Sequence, residues 1–136
     1  MNKIQLVTGV GAAALAALHT FVGTPEIADP LLASELEDRA KYLNFFCWHI
    51  VTIVLWATAA GYLWSAIVKP SVELVMFLTC MMACIEIWGV LLPPGVGLSY
   101  MTMPQGWLFF PIVMLAIFSL GYERRRANAP GSGPAN

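Results

Sequence analysis

Three side chains of this chain have the chemistry of a buried site: His19, His49 and Glu86, each set inside a long apolar run. Imidazole ligates zinc, copper and iron, and a carboxylate adds charge. Two histidines and a glutamate at one depth therefore match a first-row transition-metal site. His19 and His49 facing each other across neighbouring helices would instead supply both axial ligands of a b-type haem. A third reading is a quinone or proton-relay site, in which an imidazole takes or gives a proton beside the carboxylate. The fourth needs no ligand, with Glu86 bonding the histidines and locking the helices together. All four require the three residues to lie on facing elements at one level.

Composition sets what those elements are. Of 136 residues, 59% are hydrophobic and 11% charged, against about 45–50% and about 25% in soluble domains, and the mean hydropathy is +0.73. A soluble domain this small could not hide so much apolar surface, which points to lipid as the solvent. The net charge of −1 offers no basic surface for nucleic acid. Apolar stretches cover residues 4–23, 42–68, 72–92 and 107–122, separated by Thr24-Pro25, Lys69-Pro70-Ser71 and Pro93-Pro94-Gly95. Four transmembrane helices are predicted within a domain of residues 1–126, followed by a disordered tail, 127–136. Backbone groups in hydrocarbon must be paired internally and no barrel-type alternation is present, so the expected architecture is an all-α four-helix bundle.

The first stretch follows a basic start, as a signal peptide would, but it has full membrane-span length and no Ala-x-Ala site after it. It is read as a retained helix. Lys3, Lys69, Arg124, Arg125 and Arg126 fall on one side of the spans, and Arg39 and Lys41 on the other. This bias predicts both termini in the cytoplasm of a bacterial inner membrane. The outward loop 24–41 then carries Glu26, Asp29, Glu35, Glu37 and Asp38. Within it Asp29-Pro30 reads as an N-cap and first helical residue of a short interfacial helix striped with Leu31, Leu32 and Leu36. Pro111 is expected to kink the fourth span or to mark its first turn.

At about 1.5 Å per residue, His19, His49 and Glu86 lie about 6, 10 and 9 Å below the outer boundary, one layer within the error of the span ends. The face of His19 holds Thr8, Ala12 and Ala16, and that of Glu86 holds Thr79, Met82, Ala83 and Gly89. Small and polar residues there indicate helix contacts. His49 shares its face with Phe45, Thr52, Ile53 and Trp56, a less decisive set. Gly9, Ala13 and Ala17 form a small-residue row that places the first helix at the centre. Cys80 and Cys84, with nearby methionines, resemble soft copper ligands. Cys84 is two residues from Glu86, and Cys47 two from His49, so each stands about 200° around the helix from its neighbour. The cysteines are read as lipid-facing or packing residues. The uncharged loop 93–106 is read as interfacial, anchored by Tyr100 and Trp107, rather than as a lid over the His/Glu layer.

The segments His19-Thr-Phe-Val-Gly23, Glu26-Ile27, Pro30-Leu31-Leu32 and Cys47-Trp48-His49 resemble a group of short bacterial four-span membrane proteins that has no assigned activity. The likeness covers residues 15–60. It implies that His19 and Trp48-His49 belong to the group's pattern, whereas Glu86 rests on depth and phase alone. No P-loop, dinucleotide turn, zincin pair or nucleophile elbow is present, so no enzymatic activity is assigned. Two function classes follow: a protein binding a metal, haem or quinone at His19, His49 and Glu86, or an accessory subunit of a larger membrane complex or homo-oligomer in which those residues only pack helices.

Overall fold

The computed structural model describes residues 2–127, with side chains from residue 2 to residue 122. Four of its helices are long and apolar enough to cross a membrane. The elements are α1 (Lys3–Phe21), a π-helical turn (Thr24–Ala28), α2 (Asp29–Ala33), α3 (Asp38–Ile67), α4 (Val72–Gly95) and α5 (Gln105–Ala127). The disordered tail expected at 127–136 lies outside the described residues except for Ala127. Helix α1 packs on α3 and α5, and α4 packs on α5 and α3, so the four long helices form a ring. The N-terminus and the α3–α4 turn share one end. The opposite end, called distal below, carries the connection through α2 and the α4–α5 loop.

Two expected helix ends are displaced at prolines, and α3 and α5 are also longer than their expected spans, covering Asp38–Ile67 and Gln105–Ala127. The first helix does not stop at Thr24-Pro25: the chain stays helical from Lys3 to Ala33. Pro25 has no N–H to give the carbonyl four residues back. The backbone accommodates it by widening, with the amide of Asp29 bonding the carbonyl five residues back, at Thr24. Asp29 is consequently not an N-cap, because Ala28 before it is already helical. The short helix exists as α2 but ends at Ser34, separate from α3. Likewise α4 continues through Pro93 and Pro94 to Gly95. Its stop is Gly97 at φ 75°, with Gly97 N–H bonding Pro94 O at 3.2 Å and Leu98 N–H bonding Pro93 O at 2.8 Å. This crossed pair around a left-handed glycine terminates helices generally. Pro93 and Pro94 have helical φ and simply omit two donors.

Small residues determine how closely the helices approach. Thr8, Ala12 and Ala16 are buried, as the face reading of α1 expected, and so are Thr79 and Met82 on α4. Gly9 lies against Leu63, where an added Cβ would stand 2.8 Å from Leu63 Cδ2. The tightest contact is between Gly89 on α4 and Gly106 on α5, whose backbones touch directly. Near the α3–α4 turn the interior is polar but paired. Tyr62 bonds Thr79 at 3.2 Å, and Ser71 N–H bonds Ser65 Oγ at 2.9 Å. Asn2 donates to Ser119 on α5 at 3.0 Å. Gln5 is the exception, since it is fully buried and both ends of its amide lack a partner.

Gly106→Ala forces a methyl group into the Gly89 and Val90 backbone and is expected to cost about 1–3 kcal/mol, read as a lower unfolding midpoint in detergent. Gly95→Ala meets nothing within 4 Å and should leave the midpoint unchanged or slightly raised. Equal responses at the two positions would refute the backbone contact.

Candidate functional site

The described residues enclose a cavity of about 370 Å³ at the distal end, lined by all four long helices. That volume lies within the range of about 300–1,000 Å³ common to small-molecule sites. Helix α1 and the π-helical turn supply Leu15, His19, Gly23, Glu26 and Ile27; α3 supplies Trp48, Val51 and Leu55; α4 supplies Ile85, Trp88, Gly89 and Leu92. The fourth wall is Met103, Pro104, Gln105 and Gly106 with Leu108 and Phe109. His19, Glu26 and Gln105 are its polar members, and Glu26 and Gln105 are exposed. Leu18, Val22, Ile27, Val51, Trp88 and Leu108 line the cavity yet are each at least 41% exposed, so it opens to the surface.

The deepest polar group is the His19 imidazole. It stacks on the indole of Trp48, with ring centroids 4.0 Å apart and planes 20° from parallel. Gly23, one turn beyond His19, makes this possible, because an added Cβ would stand 2.7 Å from Trp48 Cη2. His19, Gly23 and Trp48 therefore form one unit, with the indole lying across a turn of α1 that only hydrogen at position 23 leaves free. Beside it, Trp56 Nε1 donates to Thr20 Oγ1 at 3.2 Å. The Nε2 of His19 is buried and has no hydrogen-bond partner.

The structure does not gather the three residues singled out for a metal. His19 lines the cavity, whereas His49 and Glu86 do not. His49 is exposed and meets Phe45 edge-on at 4.5 Å, and Glu86 is half-buried. Among the described residues no three His, Cys, Asp or Glu side chains are grouped to hold a metal ion. A haem held by His19 and His49 would need both in one cavity. Cys47, Cys80 and Cys84 are free and exposed, in keeping with the lipid-facing reading.

Trp48, Trp88 and Gln105 were not singled out by chemistry, and Met103 only as one of the methionines that could join the cysteines as soft ligands. Spacing held one clue: His19 and Gly23 lie four apart, on one helical face, and a glycine there leaves room for a large ring. The loop 93–106 does more than anchor at the boundary. Tyr100 meets Trp107 edge-on at 5.8 Å and donates to Val90 O at 3.1 Å, which draws Met103 and Gln105 onto the cavity wall. The chain matches no family model, and no curated protein or solved structure was found to be similar to it.

A double-mutant cycle on His19→Ala and Trp48→Ala should give a coupling energy of about 0.5–1.5 kcal/mol, the range of aromatic pairs, measured by unfolding in detergent. Additive losses would show that the stack contributes nothing.

Proposed function

We propose that this chain is an integral protein of a bacterial inner membrane, with both termini cytoplasmic, that holds a small and largely apolar molecule in its distal cavity. The lipid setting is supported by the four long apolar helices and by bulky exposed side chains such as Phe21, Ile53 and Phe77. The orientation follows from the excess of Lys and Arg on the side of Lys3 and Lys69.

The observation that carries the ligand is the void itself, about 370 Å³, lined by all four long helices and almost wholly by apolar side chains. A single histidine on the wall, with the other candidate ligands elsewhere, favours an organic molecule over a metal or haem among the ligands considered for His19, His49 and Glu86.

Two measurements test this reading. In a background with the three native cysteines replaced, Glu35→Cys should react with an impermeant maleimide on intact cells, and Lys69→Cys only after permeabilisation; the reverse pattern refutes the orientation. The purified protein should bind 1-bromodecane saturably, with quenching of tryptophan emission, and Val51→Phe should fill the cavity and abolish the saturable part. Quenching that rises linearly and equally in both proteins would reflect partition into detergent and would refute the binding site.

A further inference from the structure

We infer that His49 and Glu86 pair with each other between copies of this chain, so that the protein associates head to tail in the membrane, the α1–α3 edge of one copy against the α4–α5 edge of the next. This rests on the lipid setting proposed above and is independent of what the cavity holds.

An ionisable residue within a membrane span is costly in lipid and ordinarily faces the bundle interior or a partner. His49 instead stands exposed on α3, its one ring contact the edge of Phe45. Glu86 is half-buried on α4 and, like His49, stays off the cavity wall. Neither makes a hydrogen bond or an ion pair with any described residue. The carboxyl oxygens of Glu86 are unpartnered without being enclosed, unlike the buried Gln5 amide and His19 Nε2, so a group from outside the chain can reach them.

Depth and chemistry match. Trp48 and Val51, on either side of His49, and Ile85 and Gly89, on either side of Glu86, line the same cavity. The two groups therefore stand at one level of the bundle. Copies inserted in one orientation, as the Lys and Arg bias requires, present both at one depth. An imidazole N–H donates and a carboxyl oxygen accepts, a complementary pair where lipid offers neither water nor counter-ion.

Helical phase sets the arrangement. His49 is seven residues from Trp56, about 20° away around α3, and Trp56 bonds Thr20 of α1. His49 therefore sits on the side of α3 next to α1. The bearing of Glu86 falls between those of Gly89 and Val90, about 60° and about 40° to either side, and both pack on Gly106 of α5. Glu86 therefore sits on the side of α4 next to α5. The two lie on opposite sides of the α3–α4 pair and do not meet within one chain. Joining them between copies sets unlike edges together, a heterologous contact that closes into a ring when the rotation between copies allows.

The test follows energy transfer between donor- and acceptor-labelled full-length chains in vesicles of phosphatidylethanolamine and phosphatidylglycerol, with the label at Lys69→Cys and the three native cysteines replaced. Transfer in excess of random encounter should half-saturate at a defined protein density. His49→Leu and Glu86→Leu, each alone, should raise that density about tenfold, the contribution of one interhelical hydrogen bond. A mixture of His49→Leu donors and Glu86→Leu acceptors should associate at the unaltered density, because the intact Glu86 of the first meets the intact His49 of the second. A merely structural role would give no such rescue. The unfolding midpoint in detergent establishes that both variants fold; where either does not, His49→Phe or Glu86→Met takes its place. Transfer at the random level in the unaltered protein, single variants that associate as the unaltered chain does, or a mixture no better than its components would overturn the pairing. Flotation with the vesicles reports the lipid setting separately: a chain that does not float refutes that setting, whereas a floating, unassociated chain refutes only the pairing.

Discussion

Every proline inside a helix removes a backbone donor, and the distal half of this protein is organised around where the abandoned carbonyls go. In apolar surroundings an unpaired carbonyl is costly, because no water is at hand to replace the lost partner. Pro25 is absorbed by the π-helical turn, which brings Gly23, Glu26 and Ile27 onto the cavity wall. Pro94 would have bonded Val90 O, and the Tyr100 hydroxyl takes its place at 3.1 Å. Pro93 would have bonded Gly89 O, and Gly106 packs directly on that carbonyl. The Tyr100 bond and the Gly106 packing fold the α4–α5 loop back over the bundle and build the fourth wall.

The two ends of the bundle meet the same constraint differently. Toward the α3–α4 turn, buried hydroxyls return to carbonyls of their own helices, Thr58 to Val54 O at 2.7 Å and Thr79 to Val75 O at 2.6 Å. Tyr62 then reaches across to Thr79, and Asn2 to Ser119, tying the helices where their small residues already meet. This end is closed and, apart from Gln5, internally satisfied. The distal end keeps its polar atom unpaired and its void open. A closed base beneath the cavity fixes the positions of the four helices that line it.

Much of this was legible in the sequence, and the failures are specific. The four spans follow from apolar runs, and the inward faces of α1 and α4 from the three-and-four spacing of Thr8, Ala12 and Ala16 and of Thr79 and Met82. Helical phase gives a residue's bearing on its own helix, but it does not say which neighbour that bearing meets. His49 and Glu86 shared a depth with His19 and still lie off the cavity, whereas Trp48, one residue and about 100° from His49, points into it. The helix ends at Thr24-Pro25 and Pro93-Pro94 were misread because proline is tolerated where a wide turn or a tyrosine hydroxyl compensates, and such partners lie several residues away in the chain.

One could regard the cavity as a by-product of packing. Three of its lining residues are glycines, and each is required by another contact: Gly23 by the Trp48 ring, Gly89 and Gly106 by each other. Side chains that must be absent cannot fill a hole, so some void is unavoidable where the three gather. That reasoning explains the space but not the imidazole. A leucine or methionine at position 19 could point into the same void, lower its volume and leave no nitrogen unpaired. A histidine there costs about 1–3 kcal/mol in an unmet hydrogen bond, and its stack on Trp48 recovers only about 0.5–1.5 kcal/mol, which an apolar side chain would largely recover by contact as well. Gln5 carries the same kind of cost at the closed end, where it does not line the cavity, so the unpaired nitrogen does not by itself distinguish a binding site from a packing defect.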